Sequence, residues 1–294
     1  MPVMVTGASG LIGRRAVEAL ARTSPEVRAY VRRAEAAAAL RSLGAKVAVG
    51  WIGDVDNLAA AMTGAHTVVH LVGALDLSGE RAFVEANLDS VRAAVGASAR
   101  AGIRRFVLLS YPGADPGSPN PYLRSKGEAE RVVRESGLAF AIIRSTHVYG
   151  PGGAWLDAVR AQARRRPAVV IGSGRQILAP VFVDDVAAVL AAVDDRAEVR
   201  SGTWGLQGPD RVTADELADL LGAGGHRRVH PSPGRAAFLA RLTGRPVGKT
   251  TLEILAADSV ADGPDAAAAF GVRLTPLREG LAASLPSPPP GAPE

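Results

Sequence analysis

Tyr122 and Lys126 have the residue types and the spacing that proton transfer requires. They are four positions apart at the start of a predicted helix, so their side chains share one face of it. A nearby ammonium favours the phenolate, and we expect it to lower the pKa of the tyrosine towards neutral pH. Only three of the 34 basic residues are lysine, so an indifferent position would more often carry arginine. The pair therefore predicts that Tyr122 exchanges a proton with a carbonyl or hydroxyl group.

A glycine-rich loop lies between the first apolar run and the first helical stretch, with the spacing Gly-x-x-Gly-x-x-Gly. Gly7 permits a tight turn, Gly10 lets the backbone approach a pyrophosphate, and Gly13 lets the helix pack closely on a sheet. The helix N-terminus adds free N–H groups and the positive end of the helix dipole. The loop therefore predicts a dinucleotide site. The residues expected to contact the dinucleotide are Gly7, Ser9, Gly10, Leu11, Ile12 and Gly13.

The second predicted strand ends in Arg32 and Arg33, where an acidic residue would indicate NAD. A guanidinium can hold a ribose 2′-phosphate through two hydrogen bonds. This favours NADP(H), with Arg32 as the first choice and Arg33 or Arg14 as alternatives, while NAD(H) stays possible. The competing explanation is that these are surface arginines in an arginine-rich chain. With a nicotinamide cofactor, hydride transfer would accompany the proton transfer by Tyr122, and Lys126 could also hold the nicotinamide ribose.

Short apolar runs alternate with alanine-rich helical stretches through the first half of the chain. Continuous apolar strands are typical of a sheet that is covered on both faces. The alternation predicts an α/β fold, a doubly wound parallel Rossmann sheet with its ligand at the carboxyl ends of the strands. The predicted strands are Val3–Val5, Val27–Val31, Lys46–Val49, Thr67–Val72, Phe106–Leu109 and Phe140–Ile143. The predicted helices are Leu11–Ala21, Glu35–Leu43, Leu58–Met62, Val84–Ala101 and Lys126–Glu135.

The pattern is less regular after Gly150. Asp185 is expected to cap the helix that follows it, and Thr213 with Glu216 has the spacing of a capping box. We predict two domains and a tail rich in proline and serine. The NAD(P)-binding Rossmann domain is predicted to span residues 1–150, and the segment 176–206 is predicted to return to it. A smaller, mainly helical substrate-binding domain is predicted from residues 151–175 and 207–285. Residues 286–294 are predicted to form a disordered tail.

The composition of the 294 residues excludes several classes of function. The absence of cysteine excludes disulfides, thiolate metal sites and cysteine nucleophiles, and no metal site is expected. No run of eighteen apolar residues and no signal sequence is found, which predicts no membrane span and a cytoplasmic protein. The net charge is +5, and the basic residues are scattered along the chain with little aromatic interleaving, which argues against nucleic acid. The expected partner is a small-molecule substrate, and the expected state is a monomer or homodimer.

Taken together, these motifs resemble the short-chain dehydrogenase/reductase superfamily. The resemblance is greatest to its extended and atypical branches, which include NAD(P)-dependent epimerases and dehydratases, NmrA-like proteins and the complex I accessory Rossmann subunit. It covers residues 1–285 and rests on Thr6–Gly13, Gly53–Asp54, His70–Gly73, Asn87, Ser110, Tyr122 with Lys126, Arg144–Gly152, Val183–Val186 and Gly208–Pro209. The resemblance implies a nicotinamide close to Arg144–Gly150. It implies cofactor contacts at Asp54, Val55, Val72, Gly73, Ser145 and Val148.

Two positions depart from the superfamily's pattern. Extended members often end the fifth strand with Ser-Ser or Ser-Thr, whose second hydroxyl polarises the substrate carbonyl. Here Ser110 is followed by Tyr111, so either Ser110 serves, or Tyr111 donates that hydrogen bond, or the site is altered. The frequent Arg-Pro-Thr is Arg144-Ser145-Thr146 here, followed by His147, which would face the substrate or would pack as an ordinary loop histidine.

The sequence predicts an NADP(H)-dependent oxidoreductase that acts on a carbonyl or alcohol of a small metabolite. It would be a reductase, or an epimerase or dehydratase with transient oxidation. The alternative is a non-catalytic, NmrA-like dinucleotide-binding regulator or assembly protein. The pair Tyr122 and Lys126 argues against the alternative, and the altered corner at Ser110 and Tyr111 argues for it.

Overall fold

A seven-stranded parallel sheet forms the centre of the protein, for which a computed structural model describes residues 1–195, 201–242 and 247–285. The strands are β1 (Val3–Thr6), β2 (Val27–Val31), β3 (Lys46–Val49), β4 (Thr67–His70), β5 (Arg105–Ser110), β6 (Ala139–Ser145), β7 (Val148–Tyr149), β8 (Ala168–Val169), β9 (Ile177–Leu178), β10 (Val181–Phe182), β11 (Gly202–Leu206), β12 (Val212–Thr213) and β13 (Arg228–Val229). The order in the main sheet is β3-β2-β1-β4-β5-β6-β11, and all neighbours are parallel. This order confirms the predicted doubly wound fold.

Helices cover both faces of this sheet. They are α1 (Leu11–Thr23), α2 (Ala37–Ser42), α3 (Val55–Met62), α4 (Glu80–Phe83), α5 (Ser90–Ala101), α6 (Pro121–Glu135), α7 (Ala154–Ala163), α8 (Val183–Asp195), α9 (Ala214–Ala218), α10 (Pro233–Leu242), α11 (Lys249–Leu255), α12 (Ala266–Phe270) and α13 (Leu277–Ser284). A 3₁₀ turn at Ala34–Ala36 precedes α2, and π-helical turns at Val84–Asp89 and Asp219–Ala223 follow α4 and α9. None of the helices in the described ranges is long and apolar enough to cross a membrane.

The apolar strands supply two cores at once, because successive side chains of a strand point to opposite faces. On β1, Val5 enters the core that contains Leu20 of α1, whereas Met4 enters the core that contains Leu58 of α3. All of these side chains are fully buried. The continuous apolar runs are therefore required, since a polar residue at either alternating position would lie in a core.

The structure adds a strand that the apolar runs do not predict. β11 pairs with β6 at the edge of the main sheet, yet its sequence, Gly-Thr-Trp-Gly-Leu, contains two glycines and one fully buried aliphatic residue. A separate core of Leu156, Leu217 and Leu281 joins α7, α9 and α13. The division into domains stays a prediction. Residues 196–200 of the predicted returning segment and the predicted tail 286–294 lie outside the described residues.

Of the two predicted caps, one is confirmed and one is wrong. Thr213 accepts a hydrogen bond from the backbone N–H of Glu216, whose carboxylate accepts one from the N–H of Thr213, so the capping box is present. Asp185 does not cap a helix, because α8 already begins at Val183. Its carboxylate instead accepts hydrogen bonds from the N–H and the hydroxyl of Thr275.

Candidate functional site

The glycine loop joins β1 to α1 with the backbone that the sequence predicts. Gly7 has a positive φ of 74°, and a Cβ there would lie 2.7 Å from the backbone of Leu71, just after β4. A Cβ on Gly13 would collide with the carbonyl oxygen of Gly7. These two positions need glycine because the chain itself fills the space.

Gly10 differs from the other two glycines of the loop. A Cβ there would meet only the carbonyl oxygen of Gly7, at an ordinary 3.5 Å, so the chain itself does not require glycine. Gly10 is exposed and begins α1 without a side-chain cap, which leaves the first N–H groups of Leu11, Ile12 and Gly13 directed away from the helix. The open loop and the uncapped helix N-terminus have the shape and the donors that a dinucleotide pyrophosphate requires. The residues present therefore fit the predicted cofactor.

An open cleft of about 590 Å³ lies beside this loop. Ser9, Arg32 and Arg33 line it, together with Glu35 and Ala36. Both arginines are exposed and follow the carboxyl end of β2. The structure thus brings the loop and the two arginines to one cleft, as the predicted 2′-phosphate site requires.

The remaining residues expected at the cofactor lie along the same edge of the sheet. Asp54 is exposed and accepts a hydrogen bond from the N–H of Asn57, so it caps α3 in addition to any role at adenine. Val55 begins α3, and Val72 and Gly73 lie two and three residues after β4. Ser145 ends β6 and Val148 begins β7. The Oγ of Ser145 donates to the carbonyl oxygen of Thr146 at 3.2 Å.

The loop after β4 is held by Asn87, which lies in the π-helical turn between α4 and α5. Its amide accepts from the N–H of Ala74 at 3.0 Å and donates to the carbonyl oxygen of Ala74 at 3.1 Å. Asn87 is almost fully buried, and a Cβ on Gly73 would lie 2.8 Å from its Oδ1. π-Turns inside helices are frequent at functional sites, and this one directs an amide at the backbone that the cofactor is expected to contact.

Tyr122 and Lys126 lie in the first turns of α6, and both are buried. The helix begins at this point because the side chain of Asn120 accepts hydrogen bonds from the N–H groups of Tyr122 and Leu123. The Nζ of Lys126 donates to the carbonyl oxygen of Leu109 at 2.8 Å. The lysine therefore spans from α6 to the carboxyl end of β5, beside Ser110.

The pKa of Tyr122 shifts in the direction opposite to the prediction. Burial raises it, and the neighbouring Tyr111 adds to the effect. Burial also lowers the pKa of Lys126 to about 8, although Glu130 one turn along α6 opposes that shift. The expectation that the pKa of Tyr122 is lowered towards neutral pH is thus wrong for this structure, because burial disfavours the charged phenolate.

Ser110 ends β5, and its Oγ is buried without a hydrogen-bond partner among the described residues. A buried hydroxyl normally has a partner, since leaving it without one costs about 1–3 kcal/mol. Tyr111, the next residue, is already engaged. Its hydroxyl donates to the Oγ of Ser259 at 3.0 Å and lies 3.4 Å from the Nε2 of His147.

His147 is a buried packing residue that also reaches the site. Its ring stacks on Trp155 of α7 with 4.8 Å between centroids, and burial lowers its pKa to about 4. The imidazole is therefore neutral at pH 7. Ser259 was not singled out from the sequence, because it lies in the least patterned part of the chain and meets Tyr111 only in the folded protein.

An apolar wall surrounds the Tyr122 side chain. The rings of Tyr111 and Phe83 contact it edge to face at 5.6 and 6.1 Å, and Ile254 of α11 completes this buried cluster. Leu75, Leu77 and Leu123 pack against it. We call these seven residues the aromatic wall: Leu75, Leu77, Phe83, Tyr111, Tyr122, Leu123 and Ile254.

Arg144 lies at the carboxyl end of β6, but its side chain is held by carboxylates. It donates to both oxygens of the fully buried Glu130, at 2.9 and 2.8 Å, and to Oδ2 of Asp262 at 2.6 Å. Asp262 lies three residues after Ser259. The ion pairs therefore attach the segment that carries Ser259 to the helix that carries Tyr122 and Lys126.

The fold and the site together define a class of dinucleotide-dependent proteins. Its features here are the glycine loop, the uncapped helix N-terminus and the tyrosine–lysine pair. The family described as NAD(P)H-binding matches residues 7–196, more than half of the chain. The chain belongs to this family, and the resemblance to the short-chain dehydrogenase/reductase superfamily is confirmed. Its cofactor is accordingly NAD(P)(H).

Several proteins are similar in sequence. A ceramide reductase of Caulobacter vibrioides is 33% identical over 65% of this chain and 60% of its own length. Subunit 9 of the NADH dehydrogenase 1 alpha subcomplex of Arabidopsis thaliana is 30% identical over 74% of this chain and 56% of its own length. A protein of Bacillus subtilis described as an uncharacterized sugar epimerase is 30% identical over 75% of this chain and its whole length. The match thus spans less than two thirds of the first two relatives.

Solved structures share the fold. The triphenylmethane reductase of Citrobacter sp., complexed with NADP(H), superposes with a TM-score of 0.77 at 20% identity, covering 97% of this chain and 100% of that one. An NADPH-dependent quinone oxidoreductase of Escherichia coli, complexed with NADPH, gives a TM-score of 0.76 at 23% identity, covering 95% of this chain and 98% of that one.

Proposed function

We propose that this protein is an NADP(H)-dependent oxidoreductase that reduces a carbonyl group, or oxidises the corresponding alcohol, of an apolar small molecule. The observation that carries the proposal is the Oγ of Ser110 at the carboxyl end of β5, which is buried and has no hydrogen-bond partner among the residues that the structure describes. The backbone of Leu109 beside it accepts from Lys126, and the ring of Tyr111 that follows packs on Tyr122. A substrate oxygen placed here would give the Ser110 hydroxyl the partner it lacks.

Each side chain has a distinct task in this proposal. Ser110 donates a hydrogen bond to the substrate oxygen and polarises the carbonyl. Tyr122 donates its phenolic proton to the same oxygen, and its raised pKa keeps that proton in place at neutral pH. Lys126, with a pKa of about 8, is largely protonated at neutral pH and holds the end of β5. The nicotinamide, when bound, supplies the hydride to the carbonyl carbon.

The aromatic wall supports an apolar substrate over a sugar nucleotide. Its side chains are aromatic or aliphatic, and the two hydroxyls it carries belong to Tyr111 and Tyr122. Such a surface binds ring systems and alkyl chains well and offers a diphosphate no counter-charge. The similarity to a ceramide reductase and the shared fold with a quinone oxidoreductase also support an apolar substrate.

The test is the oxidation of NADPH by the purified protein with quinones, aryl ketones and long-chain ketones, beside UDP-glucose. We expect turnover with one of the apolar carbonyls and none with the sugar nucleotide. Tyr122→Phe should lower kcat by about 10²–10⁴-fold and leave the affinity for NADPH unchanged. Tyr30→Phe is the matched control for kcat, since Tyr30 lies on β2, three strands from β5 in the sheet, and its hydroxyl donates to Oδ1 of Asn57. Full turnover by Tyr122→Phe would overturn the mechanism.

The preference for NADP(H) is part of the same proposal. Arg32 and Arg33 border the cleft beside Ser9, where the 2′-phosphate would lie. Arg32→Ser should weaken NADPH binding by about 10–100-fold and change NADH binding little, because only the phosphate contact is lost. Arg41→Ser, an exposed arginine on α2 outside the cleft, is the control. Equal losses for NADPH and NADH in calorimetry would contradict the assignment.

A second candidate is a non-catalytic dinucleotide-binding regulator or assembly protein. It is favoured by the Tyr111 hydroxyl, which stands at the altered position and is occupied by Ser259, and by the similarity to the NADH dehydrogenase subunit. This candidate predicts NADPH binding without turnover and no effect of Tyr122→Phe on any measured property except local stability. A cytoplasmic location and a monomeric or homodimeric state stay predictions.

A further inference from the structure

Exposed apolar side chains are concentrated on α10. Six large apolar side chains are exposed in the described part of the chain, and three of them are Phe238, Leu239 and Leu242. Their exposed fractions are 64%, 53% and 69%. Positions i, i+1 and i+4 lie on one side of a helix, so the three side chains form a continuous stripe. We call them the α10 stripe.

The charge around this stripe is one-sided. From Leu220 to Leu252 the sequence has six Lys or Arg residues and no Asp or Glu. This segment therefore carries +6, whereas the remaining 261 residues have 28 basic and 29 acidic side chains. The whole net charge of the protein is thus concentrated in the segment that carries the α10 stripe.

Two of these basic residues are placed on α10 itself. Arg235 lies one turn before Phe238 and Leu239, and Arg241 borders the stripe on its other side. Both arginines are exposed. By contrast, Arg228 is paired with Asp219, and Lys249 lies 3.5 Å from Glu253. The stripe is consequently framed by arginines whose charge faces outward.

We propose that α10 docks the protein on the surface of an anionic lipid bilayer. A helix that combines exposed Phe and Leu with Arg beside them suits the bilayer interface, where apolar side chains enter the acyl boundary and guanidinium groups meet lipid phosphates. A nucleic acid would match the charge but would leave the α10 stripe in water. A neutral apolar partner would match the stripe but would offer no counter-charge to the exposed Arg235 and Arg241 beside it.

The position of α10 is compatible with this role. Only Ala236 of this helix is buried, and the helix packs on α11. α11 in turn contributes Ile254 to the aromatic wall and donates from the Thr251 hydroxyl to the carbonyl oxygen of Leu75. The proposed docking helix is thus one helix away from the candidate site. The proposal does not depend on the proposed reaction.

The experiment is sedimentation of the full chain with large unilamellar vesicles. We expect binding to vesicles of phosphatidylcholine with 30% phosphatidylglycerol, and at least tenfold weaker binding to pure phosphatidylcholine. Each basic residue at the bilayer surface should increase the binding constant about fivefold at low salt. Raising the salt should weaken the binding, because it screens this attraction. Phe238→Ser with Leu242→Ser, and separately Arg235→Glu with Arg241→Glu, should each reduce binding at least tenfold.

The control variants make the same kinds of change, in charge and in exposed apolar side chains, at positions away from α10. Arg22→Glu with Arg100→Glu reverses two exposed arginines on α1 and α5 and should bind vesicles as the parent protein does to within a few-fold. Val49→Ser removes an exposed apolar side chain at the edge of the sheet and should have no effect. Unchanged NADPH affinity shows that each variant is folded.

Four outcomes would overturn the proposal. They are no sedimentation with anionic vesicles; equal, salt-insensitive binding to both vesicle types; binding that survives both pairs of α10 substitutions; and salt-sensitive binding to random duplex DNA that the serine variants leave intact. A concentration-dependent dimer in light scattering that Phe238→Ser with Leu242→Ser abolishes, without vesicle binding, would instead assign the stripe to a second copy of the chain.

Discussion

The hydroxyl of Tyr111 donates a hydrogen bond of 3.0 Å to the Oγ of Ser259, 148 positions further along the chain. This contact occupies the hydroxyl at the position where the superfamily often has the group that polarises the substrate. The neighbouring Oγ of Ser110 is buried and has no hydrogen-bond partner in the described part of the chain. The sequence permits either Ser110 or Tyr111 as the residue that polarises the substrate, and the contact between Tyr111 and Ser259 favours Ser110.

Ser110→Ala should therefore lower the reaction rate, whereas Tyr111→Phe should lower the stability of the fold. Ser110→Ala should lower kcat/KM by about 10²-fold, as the loss of a donor to a reacting oxygen does, with a change in unfolding free energy below about 1 kcal/mol. Tyr111→Phe should cost about 1–2 kcal/mol of stability, because it leaves Ser259 without its donor, while the rate changes by less than about fivefold. Steady-state kinetics and urea unfolding of both variants check this. A larger rate loss in Tyr111→Phe would return the polarising role to Tyr111.

The buried lysine predicts a rise of stability with alkaline pH. Lys126 has a folded-state pKa of about 8 against 10.5 when it is unfolded, so the unfolded chain binds more protons between these values. Stability then increases as pH rises through this window, and the cost of burying the ammonium is largest below pH 8. Relative to Lys126→Met, the unfolding free energy of the parent protein should increase by about 2 kcal/mol from pH 7 to 9.5. Parallel pH profiles of the two proteins would contradict a buried, titrating Lys126.

We expect the buried, neutral His147 to lower the free energy of unfolding in mild acid. His147 has a pKa lowered by burial to about 4, so between pH 6.5 and 4 only the unfolded chain gains the proton. Stability falls as pH decreases through that window, by about 2 kcal/mol at pH 5 for this residue. His147→Phe keeps a flat ring on Trp155 and should lose correspondingly less stability between pH 7 and 5. Chemical denaturation at the two pH values measures the difference, and an equal loss in both proteins would show that His147 is not the group.

The buried carboxylate of Glu130 predicts a large and local mutational effect. Glu130 accepts from Arg144 and from Arg134 and is fully buried, so Glu130→Gln removes the buried counter-ion that these two guanidinium groups share. The expected cost is about 3–5 kcal/mol of unfolding free energy. Glu128→Gln, which breaks the surface pair with Arg131, should cost less than about 1 kcal/mol. Similar costs for both variants in thermal unfolding would mean that the buried pair contributes no more than a surface pair.

The sequence alone determined the sheet and the cofactor end of the site. Apolar runs that are covered on both faces, interrupted by helical stretches, specify parallel strands, and glycines at fixed offsets specify the loop between β1 and α1. The same local chemistry determined the start of α9 at Thr213, since a capping box needs only residues three positions apart. The sequence also places Tyr122 and Lys126 on one face of α6, because positions i and i+4 of a helix share a face in any surroundings.

The tertiary structure alone decided the chemistry that depends on burial and on distant partners. The pKa of Tyr122 rises because its surroundings exclude water, which no spacing along the chain reveals. Ser259 meets Tyr111 through a segment without a periodic pattern, and Arg144 is held by Glu130 and Asp262 from two other parts of the chain. β11 joins the sheet despite its glycines, because pairing with β6 stabilises a strand that its own sequence does not specify.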